Sequence, residues 1–262
     1  MILCRGSFRT MARCQKLISG AVGNFLMASR PKRHEPQATS RIKKTCTNPE
    51  HVLKIDLTER YNMNTKEALK LVGGLSKPSK MPGWAYGTPA KECKTGTKLR
   101  DIEGSTCHKC YAMKGCYVFP VVQAAQYRRL RSIKTPQWVR AMVALINSKK
   151  SKYFRWHDSG DVQDEAHLQK IFTVARLTPD TKHWLPTREA WVKPFINQAP
   201  DNLVVRFSMP MIDQAAAESW PNTSTVVSGE GRTCPAPDQG NECKDCRACW
   251  DKSIHNIAYG KH

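Results

Sequence analysis

The sequence predicts an α/β fold, a partial or complete parallel β/α barrel of the TIM type. Short apolar runs that end in polar residues recur at intervals of roughly 20 to 30 residues, with helical patterns between them. At 262 residues the chain is long enough for one such domain plus a tail. We therefore expect a disordered basic N-terminal arm (1–46), a catalytic β/α domain (47–233) that includes a cysteine loop at 93–116, and a C-terminal cysteine-rich metal-binding module (234–262).

The predicted arm is strongly basic, since residues 1–44 contain ten basic residues and a single acid, Glu35. The whole chain has 42 Lys+Arg against 22 Asp+Glu, a formal net charge of +20. A field of this sign attracts polyanions, nucleic acid first. The apolar run at 17–28 is shorter than the roughly 20 residues that cross a bilayer, so we expect no membrane partner. A transit peptide or a start codon placed too far upstream are alternatives for the arm.

The best-defined β/α unit begins at Tyr153. Residues 153–156 have the apolar pattern of a buried strand, and 157–161 (HDSGD) form a polar turn in which a glycine lets the backbone reverse. An amphipathic helix follows at Glu165–Arg176. Polar groups at the carboxyl end of such a strand lie where β/α folds place their chemistry. The alternative is that Asp158 or Asp161 only caps the next helix.

Other elements extend this pattern on both sides. The helix that we predict at 121–133 presents Arg128, Arg129 and Arg131. These three side chains form either a candidate phosphate-facing edge or a solvated surface. Before the unit we predict a helix ending at Gly73-Gly74, a loop-rich span at 75–105 that is pinned or lines a site, and helices at 121–133 and 136–147. After it we predict strands at 182–186, 203–207 and 225–227, with helices around 191–198 and 213–220.

Parallel strands joined by right-handed crossovers bring their polar ends to one rim. Two carboxylates there would suffice for attack on a sugar carbon and for proton transfer to the leaving base. The candidate catalytic residues are His157, Asp158, Asp161 and Glu189. The candidate substrate-binding residues are Ser159, Gly160, Thr187, Arg188 and Ser208, and Glu230 also belongs to the rim.

Most of the eleven cysteines lie in two close groups, which is typical of metal ligands in a reducing compartment rather than of disulfides. The spacing of the C-terminal group suits either zinc or a [4Fe–4S] cluster. The second group would be catalytic with three ligands and an open position, or structural with four. The C-terminal candidates are Cys234, Cys243, Cys246, Cys249 and His255, and those of the second group are Cys93, Cys107, Cys110 and Cys116.

Three blocks resemble a family of cysteine-rich phage and plasmid proteins, over about residues 75–262: 104–117, 156–161 together with 183–189, and 243–250. More distantly, HDSGD is similar to the Asp-Ser-Gly-Gly motif of the guanine transglycosylases, whose Asp holds the exchanged base. Leu185-Pro186-Thr187-Arg188 resembles their Met-Pro-Thr-Arg motif, and the late cysteine trio with a following His resembles their zinc site. Lys182 occupies the position of their nucleophilic Asp.

This resemblance implies a phage-encoded enzyme that exchanges guanine in DNA for a 7-deazaguanine, acting in the host cytoplasm. It implies zinc as the cofactor, DNA and the free 7-deazaguanine base as partners, and a homodimer as a candidate assembly. One alternative is an iron–sulfur enzyme of the radical class, with a [4Fe–4S] cluster on Cys93, Cys107 and Cys110, although the Cys-x3-Cys-x2-Cys spacing usual in that class is absent. Another alternative is a non-catalytic, metal-stapled nucleic-acid-binding protein.

Overall fold

The structure is a computed structural model that describes residues 63–261. The predicted basic arm, with its transit-peptide and start-site alternatives, lies outside the described residues. The description below concerns the unit Thr47–His262 within these limits.

Six strands form one sheet, and every neighbouring pair is parallel. The strands follow each other across the sheet in chain order, as they do in a β/α barrel. Within the described region β1 and β6 are the sheet edges, so the parallel α/β architecture is confirmed but closure into a barrel is not. The strands are β1 (Trp84–Tyr86), β2 (Tyr153–Trp156), β3 (Lys182–Thr187), β4 (Leu203–Ile212), β5 (Thr223–Val227) and β6 (Asn256–Gly260).

Five α-helices accompany the sheet in the described region, and none of these is long and apolar enough to cross a membrane. They are α1 (Thr65–Val72), α2 (Lys94–Leu99), α3 (Pro120–Ser132), α4 (Trp138–Ser148) and α5 (Glu165–Arg176). Short 3₁₀ segments occur at Ala90–Glu92, Tyr111–Met113, Gly115–Val118, Ala190–Gln198, Ala236–Gln239 and Ala248–Trp250.

Local sequence explains where several helices begin and end. Asn64 caps α1 by accepting a hydrogen bond from the Lys66 amide, and Gly73 ends it in the left-handed conformation. The Asp164 carboxylate accepts from the His167 amide at the start of α5. Thus α5 has the predicted bounds, and α1 ends where the glycine pair predicted.

One face of the sheet packs against helices α1, α4 and α5. In β2 the side chains of Phe154 and Trp156 point to this face and are fully buried. Trp156 contacts Trp138 of α4, with ring centroids 6.0 Å apart, and α5 adds Leu168 to the same core. Full burial of each such apolar side chain contributes about 1.5–3 kcal/mol. This core holds the strands that form the rim.

The opposite face carries Arg155 and Trp184, which are register partners on β2 and β3. A C-terminal turn covers it, because Trp250 donates from its indole to the Phe154 carbonyl at 2.9 Å and packs on Trp184. Arg206 of β4 is fully buried below this turn. Its guanidinium donates to the backbone carbonyls of Thr223, Ala248, Cys249, Asp251, Ile254 and His255.

The structure corrects several predicted elements. The predicted loop 75–105 contains β1 and α2, and the predicted module 234–262 supplies β6 to the sheet. The predicted helix at 213–220 is absent. There Asp213 has φ +59° and its carboxylate accepts from the Ser228 amide, while Trp220 stacks on Phe207, so tertiary contacts override the local helix preference.

Three further expectations change in detail. The segment 190–198 is a 3₁₀ rather than an α-helix, and Pro194 inside it has no amide to donate. Pro136 precedes α4, whereas Pro120 opens α3. Arg129 does not face phosphate, because it is buried and donates to the Gly74 carbonyl and the Ser76 hydroxyl.

Candidate functional site

Asp161 ties the loop after β2 to the end of β3. Its carboxylate accepts from the Val162 amide at 2.7 Å, the Thr187 hydroxyl at 2.7 Å and the Arg188 amide at 2.8 Å. Burial raises the pKa of Asp161 to about 6, although these hydrogen bonds oppose the rise. The structure therefore brings the predicted site residues Asp161, Thr187 and Arg188 together at the carboxyl edge of the sheet.

Arg188 extends this connection to the next strands. Its guanidinium donates to the carbonyls of Ser208, at 3.2 Å, and Met209, at 2.8 Å. The Ser208 hydroxyl lies 3.1 Å from the hydroxyl of Ser224 on β5. One series of hydrogen bonds thus joins the carboxyl ends of β2 and β3 to the middle of β4 and the start of β5.

Glu189 joins the rim to the segment that follows β1. It is 2% exposed, and its carboxylate accepts from the Thr95 amide at 3.0 Å and the Thr95 hydroxyl at 2.9 Å. The Trp191 indole donates to the same carboxylate at 3.0 Å. Thr95 lies in the first turn of α2, two residues after Cys93. Glu189 therefore holds the start of the cysteine segment beside the rim.

Asp158 is buried against β1. Its carboxylate accepts from the Ser159 amide at 3.0 Å, and burial raises its pKa while Arg155 and Arg129 lower it. A Cβ at Gly87 would overlap this carboxylate, so the glycine is required for the close approach. Gly160, at φ +79°, packs its backbone equally closely on Thr88, to whose carbonyl the Ser159 hydroxyl donates.

His157 points away from the rim. It has φ +54°, is 3% exposed and lies with its ring 5.4 Å from that of His167. Neither ring nitrogen has a hydrogen-bond partner, and burial holds its pKa well below 6.5. The predicted site residue Glu230 is exposed in the turn after β5. These two residues are not brought into the bonded rim.

Three cysteines of the segment after β1 lie beside this rim. Cys93 precedes α2, and Cys107 and Cys110 follow it. A Cβ at Gly96 would lie 3.6 Å from the sulfur of Cys107 and 3.7 Å from that of Cys93, so the two thiols flank the glycine.

The surroundings of these thiols disfavour thiolates. Burial raises the pKa of Cys93, and the nearby charges of Asp161, Cys110, Cys107 and Glu189 raise it further. Burial also raises the pKa of Cys107, opposed by the Arg188 guanidinium. Cys116 is exposed in the turn Gly115–Val118.

The C-terminal cysteines are held by backbone contacts to the sheet region. The Cys234 amide donates to the Ala258 carbonyl and the Cys243 amide to the Lys80 carbonyl. Burial raises the pKa of Cys243, as do Cys234 and Cys246 beside it. Burial raises the pKa of Cys249 to about 11, and its sulfur lies 3.2 Å from the Tyr259 hydroxyl. The predicted ligand His255 has its Nδ1 at 3.1 Å from the Pro221 carbonyl.

Arg155 lies between the two cysteine groups, and sequence reasoning did not select it. It donates to the Tyr111 hydroxyl at 3.2 Å and stacks 4.7 Å over Trp184. Its charge lowers the pKa of both Cys243 and Cys249. A single arginine within an apolar strand was the signal that could have identified it.

Both cysteine groups offer thiols, which are common metal ligands, but their side chains are not arranged around a single metal ion. Within residues 63–261, no three His, Cys, Asp or Glu side chains are grouped so that they could hold a metal ion. A four-iron cluster requires another arrangement, because each thiolate binds its own iron. A Cβ at Gly96 would lie within 4 Å of the sulfurs of both Cys93 and Cys107, so the glycine leaves space beside these two thiols. The zinc and iron–sulfur assignments remain predictions.

Comparison with known proteins supplies one match. Residues 56–252, which are 197 of the 262 residues, match the family described as Gene product 88. No curated protein and no solved structure matches the chain. The match is to a phage-type family, in agreement with the resemblance noted in the sequence. The chain therefore belongs to the Gene product 88 family.

Proposed function

We propose that the protein is an iron–sulfur enzyme of the radical class that modifies nucleic acid in the host cytoplasm. Cys93, Cys107 and Cys110 would hold a [4Fe–4S] cluster and leave one iron open. The observation that supports this is the position of the three thiols at the carboxyl edge of a parallel sheet, beside Asp161 and Glu189. Parallel β/α folds place their chemistry at this edge.

These thiols suit metal ligation better than nucleophilic attack. A cysteine nucleophile needs a lowered pKa, whereas burial raises that of Cys93 and of Cys107. Binding to iron deprotonates a thiol, and the positive charge of the metal offsets the repulsion from Asp161 and Glu189. The same carboxylates that disfavour free thiolates are therefore compatible with a bound cluster.

The surrounding residues would position the ligands and the molecule bound at the open iron. Glu189 holds Thr95, two residues after Cys93, through two hydrogen bonds. Asp161 fixes the Arg188 backbone, and the Arg188 guanidinium lies beside Cys107. When bound, the cluster would supply one electron to a molecule at its open iron.

The C-terminal cysteines would form a second, structural metal site. Arg206 anchors this segment to the sheet through five of its backbone carbonyls, so a metal there would join the cysteine turn to β4 and β6. Arg155, half-buried beside Cys243 and Cys249, would offset the negative charge of the thiolates. Zinc and iron both take thiolate ligands, and the four thiols would have to draw closer together to hold either one.

Metal analysis of the intact chain tests the proposal. We expect anaerobically purified protein to contain iron and acid-labile sulfide and to show the visible absorbance of a [4Fe–4S] centre. The variant C93S/C107S/C110S should lose this absorbance, whereas C116S, which changes the exposed cysteine of the same segment, should retain it. Wild-type protein that binds zinc alone after iron reconstitution would contradict the proposal.

A second candidate is guanine exchange in DNA with a 7-deazaguanine, and the pair of buried carboxylates favours it. Burial raises the pKa of Asp158 and raises that of Asp161 to about 6, as in carboxylic acids that serve as general acids. Here D158A should abolish incorporation of a labelled 7-deazaguanine into DNA but preserve DNA affinity. Retained incorporation would refute the role of Asp158, and DNA binding without any reaction in the wild type would favour a metal-stapled binding protein.

A further inference from the structure

An open cavity of about 260 Å³ lies against two of the three proposed cluster ligands. One part of its wall is formed by Cys107 and Cys110, and the rest is basic and partly apolar. The remaining lining residues are Arg100, His108, Lys109, Met113 and Lys114. The cavity therefore combines two thiols with three side chains that are cationic at neutral pH.

The cations of this cavity are not used in ion pairs within the described region. The ion pairs found there are Arg232 with Asp238 and Lys252 with Asp201. Arg100 donates to the Ala90 carbonyl at 3.1 Å, while its buried Nε has no hydrogen-bond partner. A buried donor without a partner is costly and is commonly satisfied by a ligand or water.

The basic character extends beyond the cavity wall. Residues 91–114 contain six basic and three acidic residues. Tyr111, which follows Cys110 directly, is 47% exposed and offers an aromatic face beside the cysteine turn. Cations and an exposed aromatic ring together are typical of surfaces that bind nucleotides or single-stranded nucleic acid.

We infer that this cavity binds a phosphate group of the substrate, next to the iron left open by Cys93, Cys107 and Cys110. The inference rests on the proposed function and adds the substrate's anchoring group. Arg100 would present its fork to two phosphate oxygens, and Lys109 and Lys114 would add charge from the exposed side. A phosphate held there would lie beside Cys107 and Cys110, and the sugar or base attached to it would extend toward the rim.

The phosphate can belong to a free nucleotide or to a nucleic-acid strand, and a binding experiment separates the two. Calorimetric titrations of the purified, iron-containing protein would use inorganic phosphate, deoxyguanosine monophosphate and an eight-nucleotide single-stranded DNA. Equal affinity for the mononucleotide and the oligonucleotide would identify a free nucleotide. Tighter binding of the oligonucleotide would identify a strand.

The test variant is K109Q/K114Q, which removes two charges from exposed side chains of the cavity. The matched control is K134Q/K152Q, which removes two charges from exposed lysines that do not line it. Each hydrogen bond to a charged group contributes about tenfold or more in affinity. We expect the dissociation constant of the tighter ligand to rise at least about tenfold in K109Q/K114Q and less than about twofold in the control.

Iron content keeps failure of this inference separate from failure of the proposed function. Both variants should retain the iron of the wild-type protein, because neither changes a proposed ligand. Equal weakening by the two variants, or no binding of any phosphate compound by wild-type protein, would overturn the phosphate site even if iron is present. A cluster-free wild-type protein would overturn the proposed function, whatever the binding result.

Discussion

Acid should destabilise this fold through buried neutral histidines, and His183 offers the cleanest test. Its side chain on β3 is fully buried, stacks on Trp156 and lies 2.8 Å from the Thr178 hydroxyl through Nε2. Burial lowers the pKa of His183 to about 3. The unfolded chain takes up a proton near pH 6.5, and the folded chain does not do so until about pH 3. The stability that the neutral His183 imidazole contributes above pH 6.5 is therefore lost progressively as the pH falls from 6.5 towards 3.

The expected magnitude follows from this difference in proton binding. Between pH 7.5 and pH 5 one such histidine reduces the free energy of unfolding by about 2 kcal/mol. His157 and His167 are also buried, with pKa values well below 6.5 and about 3. His167 should therefore add a cost similar to that of His183, and His157 acts in the same direction. Asp161, with its pKa raised to about 6, has the opposite effect on stability, because the folded state holds its proton more tightly, and offsets about 1 kcal/mol.

The perturbation is H183F, which removes one titrating group. The Thr178 hydroxyl keeps its bond to the Val174 carbonyl, and Nδ1 of His183 has no partner to lose. Urea unfolding at several pH values from 7.5 to 5 should show about 2 kcal/mol less acid destabilisation in H183F than in wild type. A constant stability offset from the larger ring does not affect this comparison, since only the pH dependence is compared.

A matched control is I171V, a core substitution that does not titrate. It should lower stability by about 1 kcal/mol at every pH and leave the pH dependence unchanged. Metal binding is itself pH-dependent, so all three proteins must be measured with the same metal content. An H183F variant with the full acid sensitivity of wild type would refute the assignment of a neutral buried imidazole at this position.

Two further predictions concern the rim and the charge between the cysteine groups. G87A should destabilise the fold by about 2–4 kcal/mol, because the new Cβ overlaps the Asp158 carboxylate, while G229A, where a Cβ has open space, should change the melting temperature little. R155M should lower the metal content per chain, since it removes the half-buried cation beside the C-terminal thiols, whereas R176M on the exposed surface should not. Thermal unfolding checks the first prediction and metal analysis the second; metal content equal to wild type in R155M would contradict its proposed charge role.

The parallel order of strands was predictable because periodicity and crossover handedness are local rules. The junction of Asp161 with Thr187 and Arg188 follows from those rules once β2 and β3 are assigned. The contact between Glu189 and Thr95 was not predictable, because it joins residues that are 94 positions apart in the chain. Arg155 was overlooked for a similar reason. Its role beside the cysteines depends on the C-terminal turn that covers the opposite face of the sheet.

The shortest strand explains why the cysteine segment was the hardest part to place. β1 has three residues between Gly83 and Gly87, too few for an alternating pattern to be recognised. Yet β1 pairs with β2 and directs the chain that follows it to the carboxyl edge of the sheet, where Cys93 lies beside Asp161. Without β1 the first cysteine group is a loop of unknown position; with β1 it becomes part of the rim. The same rim therefore holds both the acids and the thiols, and any reaction proposed for this chain has to account for the two together.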